Sequence, residues 1–173
     1  MKTILNEHHL SLTIQRLCHQ ILENHLDLKD TVLIGIQPRG IYVSDRLVRE
    51  LKKELPGQPV NYGLLDITFY RDDVRKQLLK ANHTNINFTV ENKHVILVDD
   101  VLFTGRTIRA AMDALLDFGR PASVELCVLI DRRFSRQLPI QPDYIGKSID
   151  SFQSQKVKVF WKEKDGAEEV VLM

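Results

Sequence analysis

Apolar residues recur at Leu10, Ile14, Leu17, Ile21 and Leu22, the spacing of one helix face, and predict an amphipathic helix ending near His25. TVLIGI (31–36) is an unbroken apolar run and reads as a buried strand. RGIYVSDRLVRELKKEL then returns to a 3.6 period through Ile41, Leu47, Val48 and Leu51, closed by Pro56–Gly57. PVNYGLLDITFY (59–70) reads as a second strand region. From Arg71 to Asn92 the chain turns polar and aperiodic, too long for an ordinary connection in a compact domain. HVILVD (94–99), a helix from Arg106 to Phe118 and SVELCVLID (123–131) make a strand–helix–strand unit. The C-terminal part is β-rich: DYIG, then KVKVFWKE with Val157, Val159 and Trp161 alternating, then EEVVLM. Strands alternating with helices imply an α/β domain with a mostly parallel sheet covered on both faces. With no repeat or low-complexity linker, a single domain over 1–173 is expected.

Composition narrows this picture without redirecting it. The 173 residues, 43% hydrophobic and 27% charged, suit a globular chain with one sizeable core. Lys plus Arg number 24 against 23 Asp plus Glu, so any nucleic-acid contact must come from a local basic patch. No stretch is long and apolar enough for a signal peptide or a membrane span, and a cytoplasmic protein without a membrane partner is expected. Cys18 and Cys127 fall in apolar patterns and read as core thiols. The six histidines are scattered without the spacing of a zinc site.

The chemistry concentrates in VILVDDVLFTGRTIRAAMDAL (95–115). Asp99 and Asp100 stand where an apolar strand stops. Ligands of open parallel sheets bind beyond the carboxyl ends of strands, where loops and helix N-termini converge. The turn LFTGRT offers hydroxyls, a glycine and unpaired N–H groups at a helix start, which suit a phosphate monoester. Two carboxylates would repel phosphate but accept hydrogen bonds from sugar hydroxyls. A ribose 5-phosphate fits the whole stretch. Other readings stand beside it: the aspartates terminate the strand while Thr104 caps the helix, or they hold a metal. A Walker A loop and a dinucleotide fingerprint are excluded, because the upstream glycine, the lysine and G-x-G-x-x-G are missing.

VILVDDVLFTGRT resembles the phosphoribosyl-pyrophosphate (PRPP) motif of type I phosphoribosyltransferases. GIQPRGIY (35–42), DITFYRDD (66–73), MDALLDFGRPASVEL (112–126) and LPIQPDYIGKSI (138–149) lie in the order and spacing of the PyrR family. Members of that family attenuate the pyrimidine operon by binding its messenger RNA under uridine-nucleotide control. They also convert uracil and PRPP to uridine monophosphate (UMP) and pyrophosphate. The resemblance implies a type I phosphoribosyltransferase fold in which Asp99 and Asp100 hold the ribose hydroxyls and Phe103, Thr104, Gly105, Arg106 and Thr107 wrap the 5-phosphate. Gln37, Pro38, Arg39 and Gly40 match the pyrophosphate loop. Residues from about 67 to 93 match a mobile hood, with Tyr70, Arg71 and Asp72 at its root. Asp131, Arg132, Tyr144 and Ile145 are expected at the base, with Tyr144 equally readable as core. The resemblance further implies magnesium (Mg2+) carried with PRPP, a homodimer, and RNA contacts at His19, Arg133, Arg136 and Lys147. Two departures from the family concern that RNA: Gln141 stands where another basic residue is expected, and the loop DRRFSRQLP is one residue longer. A third concerns catalysis. Purine phosphoribosyltransferases place a carboxylate before the threonine of TG, and here that residue is Phe103, which cannot handle a base proton.

Overall fold

Parallel strands need crossover helices, and the computed structural model shows how this chain supplies them; it describes residues 1–72 and 81–173. Five strands form a parallel sheet in the order β3-β2-β4-β5-β6: β2 (Thr31–Ile36), β3 (Asn61–Leu65), β4 (His94–Leu102), β5 (Ser123–Arg133) and β6 (Tyr144–Asp150). Helices α1 (Glu7–Asn24) and α2 (Gly40–Glu54) cover one face and α3 (Arg106–Leu115) the other. A second sheet, antiparallel in the order β1-β8-β7, joins β1 (Lys2–Leu5), β7 (Val157–Phe160) and β8 (Glu169–Leu172). The fold is the α/β arrangement that the sequence pattern predicts, a parallel sheet covered on both faces.

Alternation along the buried strands divides the core. Leu33, Ile96, Val98, Cys127 and Leu129 meet α1 and α2, while Val32, Ile34, Val95, Leu97, Leu126 and Val128 meet α3. The first helix starts at Asn6, whose Oδ1 accepts from the His9 amide at 2.9 Å, a cap worth ~1 kcal/mol. Its buried stripe is Leu10, Ile14, Leu17 and Ile21, as the period predicts. Burial pushes the Cys18 and Cys127 thiols up to about 12, and both are inert core groups.

Several boundaries differ from expectation. β4 runs three residues beyond HVILVD, so Asp99 and Asp100 lie inside the strand and do not end it. The local pattern does not predict β1, whose partner lies at the other end of the chain. KVKVFWKE stops being a strand at Phe160, and Lys162–Asp165 form a short helix (α4) ended by Gly166. The expected hood is anchored along part of its length. Asn85 bridges Leu64 through two backbone hydrogen bonds of 2.9 Å, and Ile86, Phe88 and Val90 pack into the core beside α3. Asp66 ties the segment's two sides together, accepting from Thr68 N, Thr68 Oγ1 and Asn82 N. Residues 73–80 of the hood lie outside the described residues.

Candidate active site

Successive strand residues face opposite ways, so adjacent aspartates near the end of β4 serve two different neighbours. Asp100 meets Arg39 of the β2–α2 loop, with Nε to Oδ2 at 2.9 Å. Asp99 lines a pocket of about 330 Å³ together with Arg71, residues 101–108 and Gln137. Both carboxyls are buried. Burial and the charge of Asp100 push Asp99 well above the usual carboxylate range, and Arg71 partly offsets this. Burial also raises Asp100, against the lowering pull of the Arg39 guanidinium. The result is a desolvated pair in which Asp100 is held by Arg39, and Asp99, whose Oδ1 accepts from the Asp100 amide at 2.9 Å, faces the pocket.

The turn after β4 is shaped by Gly105, whose φ of +93° suits glycine. It, and not Thr104, is the residue from which α3 starts; the Thr104 hydroxyl accepts from the Arg106 amide at 3.4 Å. The N-terminus of α3 therefore has no side-chain cap and faces the same pocket as Asp99. Past Arg106, the N–H groups of its first turn can face an anion. Arg106 reaches Gln137 with Nε at 2.8 Å and Asp72 with Nη1 at 2.9 Å. Asp72 also accepts from Arg109 at 3.0 Å, Arg71 donates to the Thr107 hydroxyl at 3.3 Å, and Tyr70 donates to Asp117. The hood root thus rests on α3.

On the other side of β4, Gly40 opens α2 against the backbone of Val98 and Asp99. Close approach, and not room for an anion, is the steric reason for this glycine. The Gln37–Pro38 bond is cis. Gln37 donates to the His83 carbonyl, and Arg39 to Val159 as well as to Asp100. These bonds link the loop to the hood and to the second sheet and fix the Arg39 guanidinium beside Asp100.

The residues expected at the base separate into two groups. Asp131 and Arg132 stand at the carboxyl end of β5, near Phe103. Tyr144 does not join them. Parallel pairing sets it opposite Cys127, four residues short of Asp131. There its hydroxyl donates to Glu125 Oε2 at 2.6 Å and accepts from Asn24 at 3.1 Å. Tyr144 is core, and Ile145 beside it has its carbonyl held by Arg16 on the sheet edge. The register of β5 and β6 brings Asp150 and Ser151, in place of Tyr144, to the end of the sheet where the base is expected.

Among the RNA candidates, Arg136 is corrected most. It donates to the carbonyls of Ile140 at 2.9 Å, Phe103 at 2.7 Å and Arg132 at 3.2 Å, and to Asp131. It is an internal staple between the β5–β6 loop and the phosphate turn. His19 is exposed on α1, 3.7 Å from Glu54. Lys147 borders an open cleft shared with Thr3–Asn6, His9 and Arg16. Arg133 pairs with Asp150 at 2.8 Å. The set is dispersed.

Comparison with known proteins agrees with this geometry. Residues 1–164 match the phosphoribosyl transferase domain family. A bifunctional protein PyrR from Elusimicrobium minutum is 46% identical over 99% of this chain and 96% of its own length. One from Enterococcus faecalis is 43% identical over 99% and 96%. The hypoxanthine phosphoribosyltransferase of Trypanosoma cruzi superposes with a TM-score of 0.73 over 99% of this chain and 95% of its own, at 20% identity, a likeness of fold. The shared fold, the buried aspartate pair above an uncapped helix start, and near-full-length identity to PyrR proteins make this chain a phosphoribosyltransferase of the PyrR family.

Proposed function

We propose that the protein transfers the 5-phosphoribosyl group of PRPP to uracil, releasing pyrophosphate and forming UMP, and that it also binds pyrimidine-operon leader RNA. The observation that carries the first part is the pocket shared by Asp99 and the Phe103–Thr107 turn. It offers the Asp99 carboxylate as an acceptor for a vicinal diol and helix N–H donors for a phosphate in one cavity. Asp99 and Asp100 accept from the ribose hydroxyls, and the start of α3 takes the 5-phosphate. The Gln37–Gly40 loop, reached from across β4, takes the pyrophosphate. Arg71, already at the Thr107 hydroxyl, adds positive charge beside it.

The donor chemistry suits magnesium. The carboxylate pair is oxygen-only, and among the described residues no His or Cys cluster competes for a softer ion. Asp99 and Asp100 would hold the ion through the diol and water, and when bound it neutralises charge on the departing pyrophosphate. The chain's own residues orient the ribose and keep water from the electron-poor anomeric carbon. Parallel assays with uracil, hypoxanthine and orotate test this reading. Turnover of uracil well above the other two is expected, and preference for hypoxanthine or orotate would overturn it.

The RNA reading is supported by likeness to proteins named bifunctional and by exposed basic groups on α1 and β6. Arg16 and Lys147 border one cleft, separate from the pocket of the phosphate turn, and His19 follows Arg16 by three residues on α1. In a homodimer the phosphate contacts would double. Among the described residues, no helix is long and apolar enough to cross a membrane.

A further inference from the structure

Successive residues at the root of the hood each bond to α3 or to the turn that ends it. Tyr70 donates to Asp117, Arg71 donates to the Thr107 hydroxyl at 3.3 Å, and Asp72 accepts from both Arg106 and Arg109. The last contact differs in kind. Guanidinium groups from the first four residues of α3 converge on a single oxygen, Oδ2 of Asp72, at 2.9 and 3.0 Å. Arg109 has a second carboxylate in Asp113, at 3.3 Å. Arg106 has beside it only the neutral side chain of Gln137, at 2.8 Å. Among the described residues, Asp72 is the one counter-charge that Arg106 pairs with.

The contact sits where a ligand's phosphate would be held. Arg106 lines the pocket that Asp99 shares with the turn, and α3 starts there without a side-chain cap. The positive end of a helix favours a nearby anion, whether a phosphate or a fixed carboxylate. Asp72 is such a carboxylate, placed outside the pocket lining, while its neighbour Arg71 is part of that lining. The root therefore brings a positive charge to the pocket and a negative one to the guanidinium beside it. PRPP and UMP carry the same 5-phosphate. A group that grips both equally lowers KM without raising kcat, and it slows release of product. A weakened grip on the shared end leaves affinity to the pyrophosphate, which only the substrate carries.

We propose that Asp72 is a positioning residue that sets the affinity of the 5-phosphate site: it competes with the phosphate for Arg106 and so weakens substrate and product together. The proposal rests on the phosphoribosyl reading above. When a phosphate enters, Arg106 exchanges the carboxylate for it, and Arg109 keeps Asp72 beside the helix.

The test measures binding of ribose 5-phosphate, UMP and uridine by calorimetry to the full chain, to Asp72→Asn, to Arg106→Gln and to the double variant. Asp72→Asn should tighten ribose 5-phosphate and UMP about three- to tenfold at low salt, and most of that gain should vanish at about 1 M salt. Uridine, which lacks the phosphate, should gain nothing. The KM for PRPP should fall by a factor similar to that for UMP. In the Arg106→Gln background the same substitution should change affinity by less than about twofold, because the competitor has lost what it competes for. Asp72→Glu should stay near wild type. Unchanged or weaker phosphate binding by Asp72→Asn would overturn the proposal, the latter by making Asp72 a support for Arg106. So would an equal gain for uridine, or an undiminished gain in the Arg106→Gln background. A wild type that binds ribose 5-phosphate no better than ribose would overturn the phosphate reading of α3 itself, and the proposal with it.

Discussion

A methyl group added at Gly40 would lie 2.4 Å from the Val98 carbonyl oxygen and 3.0 Å from the Asp99 Cα. Both neighbours are backbone atoms, so relief requires α2 and β4 to separate at the point where the pyrophosphate loop meets the ribose site. Gly40→Ala should cost about 1–3 kcal/mol of stability, read by denaturant titration. It should also raise the KM for PRPP more than that for uracil; equal changes would place the disturbance elsewhere. Asp99 gives the opposite balance. Its carboxyl is raised by burial, so the folded state binds its proton more tightly than the unfolded chain does. Stability from that proton is full below the ordinary value of 3.8 and is lost as pH rises through the raised folded-state range. Asp99→Asn removes this loss, so it should raise the melting temperature at pH 7, with the gain closing as pH falls towards 3.8. The same change should weaken transition-state binding by about 2–4 kcal/mol, measured as kcat/KM for PRPP. A variant that is both active and unaltered in stability would make the aspartate pair a passive part of the strand.

At the scale of elements, the local pattern determines what local forces decide. TVLIGI matches β2 residue for residue, and the α1 stripe is buried as its period requires. Pairing between distant segments is what the pattern leaves open. β1 is four residues held by β8 at the far end of the chain, and nothing in KTIL announces that partner. The misplaced Tyr144 has the same origin. DYIG alternates correctly, but only the β5–β6 register reveals that Asp150, and not Tyr144, reaches the level of Arg133. The signal available in the sequence is the run after β6, where Phe152 follows Asp150–Ser151. Tyr144 belongs to a polar network with Glu125, Asn24 and His25, whose Nε2 lies 2.9 Å from Glu125. Burial pushes the Glu125 carboxyl up, but the bonds from Tyr144 and His25 outweigh it, and the net shift is downward from 4.5. That contribution is present above pH 4.5 and is lost as pH falls through the lower folded-state value. Glu125→Gln should therefore lower stability at pH 7 by about 1–2 kcal/mol and flatten the acid limb of the stability profile. An acid limb identical to wild type would mean that the network adds no net stability.

For the whole molecule, charge is balanced, 24 basic against 23 acidic residues, so attraction for RNA has to come from how the cations are distributed. The fold separates the basic groups into two kinds that the sequence presents alike. Arg136 is spent inside, holding the carbonyl of Phe103 and the carboxylate of Asp131 beneath the phosphate turn. His19 and Lys147 remain at the surface, on the α1 and β6 side, apart from the machinery for PRPP. Charge reversal should then divide cleanly. Lys147→Glu with His19→Glu should reduce affinity for the protein's own leader transcript at least tenfold while transferase kinetics stay unchanged. For every phosphate that the variant no longer neutralises, the slope of log K against log salt should flatten by about 0.7. Arg136→Glu should instead cripple the transferase, because it sets an unpaired carboxylate against Asp131 and frees the Phe103 carbonyl. Titration of both variants against the leader transcript and an unrelated hairpin, at two salt concentrations and with and without UMP, checks the division. If wild type binds its leader no more tightly than the hairpin under every condition, the surface cations are a solvated face and the protein is an enzyme alone. If Arg136→Glu keeps full transferase activity, the staple beneath the phosphate turn has no part in holding the site.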